Sequence, residues 1–325
     1  HESQHHQEAT EDVLLHARQY LSASRLRRKS VTRALRMPEL PEVEFARRSL
    51  ERWFEGRTLV RTEAEAGVRT FRDCDLGIFK ALKGSLLGIE RKGKYLMVRF
   101  SNKLGFVGHL GMTGKFLKRT PGEEVKWSRA RFILDSGEVI HFQDMRMFGR
   151  IDAVPATELE GRPGVAKLGL DPLADGLSVD RLQAAFHGSN QEIKVALMNQ
   201  ERIAGLGNIH AAEALFRAKI HPERSAATLS PAEWKALVKA IQATIAFALD
   251  VEGDGEEIEY VEEGAPNPFL IYGRAGTPCR KCKTIVKSFT QAGRTTHFCP
   301  TCQPKERKTD GDQMRKRPRA RRYRG

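Results

Sequence analysis

The sequence predicts a multidomain α+β protein: a β-rich N-terminal domain with a flanking helix, then a helical domain, then a small zinc-binding hairpin. Three observations carry this reading. Apolar residues alternate with period two from about residue 57 to 155, then take helical spacing. Four of the five cysteines fall in "CRKC" and "CPTC", with sixteen residues between Cys282 and Cys299. At 325 residues and 40% apolar content, the chain can bury real cores and divide into two or three domains.

Residues 1–36 are rich in His, Gln and Arg without an apolar period, and read as an extension: a translated leader, a processed segment or a disordered arm. A helix is expected over 41–55, with Pro41 at its first position, Val43, Ala46, Leu50 and Phe54 on one face, and Gly56 as terminator. "KYLMVRF", "GFVGHLG" and "RARFILDSGEVIHF" read as strands, the last a hairpin turning at Ser136-Gly137, which sets the β-rich domain at 37–155. Helical patterns resume after "LGLDPL" and define a domain over 165–250. In "SPAE", Ser230 is a cap, Pro231 a first-turn residue and Glu233 its capping-box partner, opening a helix to about Leu249 with Trp234, Leu237, Val238, Ile241 and Ile245 on its core face. An acidic stretch over 251–268 leads to the cysteine hairpin at 270–303 and a basic tail at 304–325, expected to be disordered.

The formal charge is +14, but the tail supplies +7 of it and residues 1–36 another +3, leaving +4 for residues 37–303. A basic total suggests a polyanionic partner, although such a tail equally fits a solvated extension. No run of about 18 apolar residues and no signal-type segment occurs, so membrane insertion and secretion are not indicated and a soluble intracellular protein is expected.

The two C-x2-C pairs fit one tetrahedral zinc ion held by Cys279, Cys282, Cys299 and Cys302, because each pair sits on a tight turn that aims two sulfurs at one point. Two disulfides are the alternative, disfavoured in a reducing compartment. With four thiolates and no open position, such zinc is structural. Cys74 is left as a core or surface thiol.

"ALRMPELPEVEF" puts a start-like Met-Pro pair at Met37-Pro38. Proline inside a chain is an inert tertiary amide, whereas at a terminus its nitrogen is a secondary amine with a pKa of roughly 8, a usable nucleophile. Read alone, the segment is equally a proline-started helix with acids at its positive end.

"MPELPEVE", "HLGMTG", "DMRMFGR", "GLGNIHAAEALF" and the four-cysteine finger, in this order over residues 37 to about 303, resemble the formamidopyrimidine-DNA glycosylase family. The resemblance implies an N-terminal β-sandwich, a helix-two-turn-helix domain and a zinc-finger β-hairpin. It also implies a monomeric base-excision enzyme of the bacterial cytoplasm, associated with the nucleoid, that removes oxidised purines from double-stranded DNA and then cuts the strand by β,δ-elimination. By the same resemblance Pro38 is the nucleophile that forms an iminium with the sugar, Glu39 the general acid and Glu42 its positioner. Lys94 binds phosphate and assists β-elimination, and Arg294 grips the lesion phosphates and aids the second elimination. Met112, Arg146 and Phe148 fill the gap left by an extruded base, while Asn208 and Lys194 hold phosphate, with Gly205 and Gly207 allowing close approach.

Three positions depart from the family pattern: the histidine usual near Trp127 is missing, Met147 stands where a second basic residue is common, and the 251–268 segment is short and acidic. A sister branch resembling endonuclease VIII, acting on oxidised pyrimidines, is the alternative enzyme, against which "PELPE" argues. A catalytically silent lesion-binding protein is the alternative if Pro38 never has a free nitrogen. The chemistry leads to the expectation that residues 1–36 and Met37 are absent from the active form.

Overall fold

The computed structural model describes residues 38–65, 67–252 and 267–305. The extension at 1–36, most of the acidic 251–268 segment and all but the first two residues of the basic tail lie outside them.

The first helix, α1, spans Leu40–Phe54, one residue earlier than expected, because Glu39 rather than Leu40 is its N-cap. Glu39 and Glu42 form a capping box in which the Glu39 N–H donates to Glu42 Oε2 at 2.9 Å. Val43, Ala46, Leu50 and Phe54 are all buried, as their spacing requires.

Eight antiparallel strands follow: β1 (Thr58–Ala64), β2 (Gly84–Lys92), β3 (Tyr95–Phe100), β4 (Leu104–His109), β5 (Lys115–Arg119), β6 (Ser128–Leu134), β7 (Val139–Gln143) and β8 (Arg150–Pro155), with a short helix α2 (Leu76–Ala81) between the first two. Their order is β5-β7-β6-β1-β2-β3-β4-β8. The β1–β2 join is only two residue pairs long, Thr58↔Ser85 and Leu59↔Gly84, so the sheet folds there into two four-stranded layers. Phe132 of β6 meets Phe106 of β4 across the sandwich with ring centroids 5.3 Å apart. The β6–β7 hairpin closes at the predicted turn, where Gly137 takes φ +83° and its N–H donates to the Leu134 carbonyl at 3.0 Å.

The helical part comprises α3 (Pro163–Ala166), α4 (Val179–Ala185), α5 (Ile193–Leu197), α6 (Asn208–Ala218) and α7 (Pro231–Glu252). Helices α5 and α6 with the two turns between them make the helix-two-turn-helix. Helix α7 opens on the expected capping box: the Ser230 N–H donates to Glu233 Oε2 at 2.8 Å, and the Glu233 N–H donates back to Ser230 Oγ at 3.4 Å. Its predicted core face is buried, and it runs past Leu249 to Glu252. Among the described residues no helix is long and apolar enough to cross a membrane.

The C-terminal hairpin is β9 (Lys287–Gln291) and β10 (Arg294–Phe298), with one cysteine pair before it and one after. It packs Cys279, Val286 and Cys299 on Ala212 and Phe216 of α6. Glu213 of α6 accepts the backbone N–H groups of Leu270, Ile271 and Tyr272 at 3.0, 2.8 and 2.9 Å. The finger is thereby fixed to the helix that also faces α1.

Candidate active site and DNA-binding surface

Three segments far apart in sequence meet at the start of α1. The Leu40 N–H donates to the Gly205 carbonyl at 3.0 Å, which joins α1 to the turn ahead of α6. Gly205 has φ +95°, and a Cβ there would lie 2.7 Å from the Leu40 side chain, so only glycine fits. A Cβ on Gly207 would collide with the Glu39 carboxylate and sit 2.8 Å from Lys94 Nζ, which puts both charged groups against this turn. The close approach expected of the two glycines is thus made to the protein's own α1.

Glu39 is 1% exposed, and its carboxylate occupies the N-terminus of α6. It accepts the N–H groups of Gly207 at 2.8 Å, Ile209 at 2.9 Å and His210 at 3.2 Å, and its Oε2 lies 2.6 Å from His210 Nδ1. Burial alone acts to raise its pKa, but the His210 imidazole, Lys94 and the Ile209 amide outweigh burial and hold it at about 2. Oriented amides at a helix N-terminus favour the anion. Glu39 is therefore a carboxylate throughout the neutral range.

Lys94 follows Gly93 on the β2–β3 turn, and burial pushes its ammonium below the ordinary lysine range, with Arg294 adding to the drop while Glu39 and Glu42 oppose it. The turn is held by a buried network. Arg91 Nε donates to Glu44 of α1 at 3.0 Å and its Nη2 to Asp171 at 3.0 Å, while the Gly93 N–H donates to Asp171 at 2.7 Å. Arg91, Asp171 and His210 were not singled out from the sequence; His210, a titratable residue inside the "GLGNIH" motif, was the one with a visible signal there.

Lys194 is fully buried. Its Nζ donates to Asn208 Oδ1 at 2.6 Å and Thr296 Oγ1 at 2.8 Å, and burial, followed by Arg294, lowers its pKa to about 8. Asn208 is the first residue of α6, not its cap, and its Nδ2 donates to the Thr295 carbonyl at 3.1 Å. Through these bonds the finger, the helix-two-turn-helix and the start of α1 form one cluster, with exposed Arg294 at its edge.

The second group of predicted residues lies on the sandwich. Met112 is partly buried, while Arg146 and Phe148 are exposed, with the Arg146 guanidinium 5.0 Å from the Phe148 ring centroid. Buried Asp144 builds the loop that carries them: its carboxylate accepts Thr113 Oγ1 at 2.6 Å, the Arg146 N–H at 3.2 Å and the Gly149 N–H at 2.7 Å. Met147 takes φ +54°, a left-handed conformation that this bracing holds.

The four cysteine sulfurs lie within 4.8 Å of one another, with Cys279–Cys302 at 3.9 Å and Cys282–Cys299 at 3.4 Å. Four thiolates about 2.3 Å from one zinc ion are ~3.8 Å apart in a tetrahedron, so the donor set fits a single structural zinc. The N–H groups of Lys281 and Cys302 donate to the sulfurs of Cys279 and Cys299 at 3.4 and 3.5 Å, contacts that orient the cysteine side chains.

Comparison with known proteins agrees with this geometry. Residues 37–151 match the family model of the formamidopyrimidine-DNA glycosylase N-terminal domain, 168–259 that of the formamidopyrimidine-DNA glycosylase H2TH domain, and 276–305 a zinc finger found in FPG and IleRS. A formamidopyrimidine-DNA glycosylase of Bacillus cereus is 36% identical over 276 residues, covering 83% of this chain and 100% of that protein. The structure of MutM (Fpg) from Thermus thermophilus superposes with a TM-score of 0.70 at 33% identity, covering 83% of this chain and all of the other. Fpg from Lactococcus lactis, in complex with DNA containing an abasic site, gives a TM-score of 0.72 at 28% identity and covers 82% of this chain and 99% of its own.

Proposed function

This chain belongs to the formamidopyrimidine-DNA glycosylase family, and from that premise we propose that it is a bifunctional base-excision repair enzyme, a DNA glycosylase and AP lyase for oxidised purines in duplex DNA. The observation that carries the reading is the ionised, fully buried Glu39 next to Pro38, capped by α6 and beside Lys94. Attack of the Pro38 amine on the sugar C1′ breaks the glycosidic bond, whose electron pair leaves on the base to be protonated from water, and the nitrogen, now cationic, must then lose a proton. A carboxylate with a pKa near 2 accepts it and can return it to the ring oxygen as the sugar opens, leaving the charged iminium. Glu39 is thus base first and acid second, which refines the purely acidic role expected from sequence.

Lys94, depressed by burial, serves the β-elimination next to this iminium, and Arg294 the phosphates and the second elimination. Lys194 acts through Asn208 and Thr296: burial keeps it from DNA directly, and its charge polarises a phosphate-binding turn. Met112, Arg146 and Phe148 fill the gap left by the extruded nucleotide. Zinc does no chemistry; held by the four thiolates, it would fix the hairpin that carries Arg294. We assign these tasks to a catalytic domain at 37–155, a DNA-binding domain at 165–250 and a finger at 270–303, in a monomer acting in the bacterial cytoplasm. Because an amide cannot attack C1′, the active form begins at Pro38.

The Bacillus cereus relative and the Thermus thermophilus structure are both formamidopyrimidine-DNA glycosylases, which supports this reading over the endonuclease VIII-like one. The test is a duplex carrying one formamidopyrimidine. A chain beginning at Pro38 releases the base and leaves phosphates on both sides of the gap; release of oxidised pyrimidines alone would select the sister branch.

A further inference from the structure

His210 is the third residue of α6 and is buried. Its Nδ1 lies 2.6 Å from Glu39 Oε2, closer than any of the three amides on that carboxylate. An ionised carboxylate offers only lone pairs, so Nδ1 carries the hydrogen of this bond. Oε2 then accepts three donors, the N–H groups of Gly207 and His210 and the His210 ring, while Oε1 accepts the Ile209 N–H. Two in-plane lone pairs cannot serve a fourth partner, so Oε1 is the oxygen with room for a proton.

The ring is held where it is. Behind it, between α6 and α7, lies a cavity of ≈ 10 Å³ lined by Glu213, Arg217, Thr244 and Phe269, room for one water molecule and too little for the imidazole to swing into. Glu213, the other carboxylate on this wall, is engaged by the N–H groups of Leu270, Ile271 and Tyr272.

We propose that His210 positions the Glu39 proton shuttle: its Nδ1–H occupies Oε2, so that the proton released by the Pro38 nitrogen goes to Oε1 and from there to the sugar ring oxygen. The Nδ1–H bond persists through both transfers, and the imidazole itself exchanges no proton. This rests on the base-excision reading above and deepens it, by naming the group that orients the shuttle. Lys94 on the β2–β3 turn, Lys194 of α5, Tyr272 ahead of the finger and Glu42 of α1 also face this carboxylate. They stay in place when His210 is replaced, so a changed pH response reports on His210.

The test is single-turnover excision of a formamidopyrimidine from duplex as a function of pH, by the chain that begins at Pro38. In His210→Phe the burial of Glu39 is less opposed, its pKa rises, and the carboxylate is lost as pH falls. The rate should drop by about tenfold or more, and the slope of log rate on pH, about one in the parent where the Pro38 amine titrates, should steepen towards about two below about pH 5. The loss is expected in this rate and not in the Kd for an uncleavable tetrahydrofuran duplex. His210→Asn, whose Nδ2 donates from the place of Nδ1, should bring back the parent's slope. A Phe variant with the parent's rate and slope, or an Asn variant that behaves like Phe, overturns the inference and leaves the base-excision reading standing. Nitrogen NMR of the histidine-labelled parent decides without any variant: a hydrogen on His210 Nδ1 at neutral pH is expected, and its absence overturns the inference. A parent that excises nothing overturns both.

Discussion

The Glu39 carboxylate accepts the N–H of Ile209 at 2.9 Å across 170 residues of sequence, which seals the segment that begins at Pro38 onto the N-terminus of α6. One buried acid therefore joins the start of α1 to the N-terminus of α6 and keeps its own negative charge. Stability and chemistry are coupled at this residue.

That coupling has a pH signature. A carboxyl held at about 2 in the folded chain, against an ordinary value near 4.5, contributes stability that is fully present above pH 4.5 and is lost as pH falls towards 2. The contribution is at most about 3 kcal/mol. Glu39→Gln should flatten the unfolding midpoint between pH 5 and 3 and remove base excision; an unchanged acid limb in the variant would contradict the assignment.

The Arg91–Asp171 pair makes a second prediction. Asp171→Leu leaves the Gly93 N–H without its acceptor and Arg91 with Glu44 as its remaining carboxylate, deep inside the protein. Breaking such a pair costs about 3–5 kcal/mol, so the urea midpoint should fall clearly. Cleavage at a preformed abasic site should slow as well, because Lys94 adjoins the loosened Gly93. A variant as stable as the parent would show that Asp171 does not hold this turn.

Cys299→Ser should release zinc and weaken DNA binding while the sandwich stays folded, because the metal supplies the local folding energy of the hairpin. The hairpin carries Arg294, and its Thr296 Oγ1 accepts a hydrogen bond from Lys194 Nζ, so the exposed arginine and the buried lysine both lose support. Metal content and circular dichroism on one sample decide this; active protein without zinc would refute it.

Phe148→Ala should slow excision of a damaged base by about tenfold or more and affect cleavage at a preformed abasic site far less, since wedge residues offset unstacking costs of a few kcal/mol. With Phe148 46% exposed in the free chain, a simple loss of core packing is not the expected cause. Equal losses on both substrates would argue against a wedge.

What the sequence disclosed follows the range of its signals. The face of α1, the Ser230 capping box, the turn at Ser136-Gly137 and the cysteine spacing are local or periodic, and each is found where expected. The acid-capped reading of the first helix was also correct as geometry: Glu42 closes the capping box on Glu39. Hidden were the contacts that bring distant turns together. Arg91 and Asp171 are 80 residues apart and His210 lies 171 residues from Glu39, so no period or spacing couples them. Burial of Lys194 was equally invisible, because a lysine in an amphipathic helix reads as exposed until a neighbouring domain covers it.

The central claim is that the Pro38 nitrogen makes the covalent bond to DNA. Borohydride reduction during reaction with a duplex bearing an abasic site should trap a protein–DNA complex for chains that begin at Pro38, and none for the 325-residue chain in which Met37 precedes it. Efficient trapping by the intact long chain would contradict the account and move the nucleophile to a lysine, with Lys94 the first to replace.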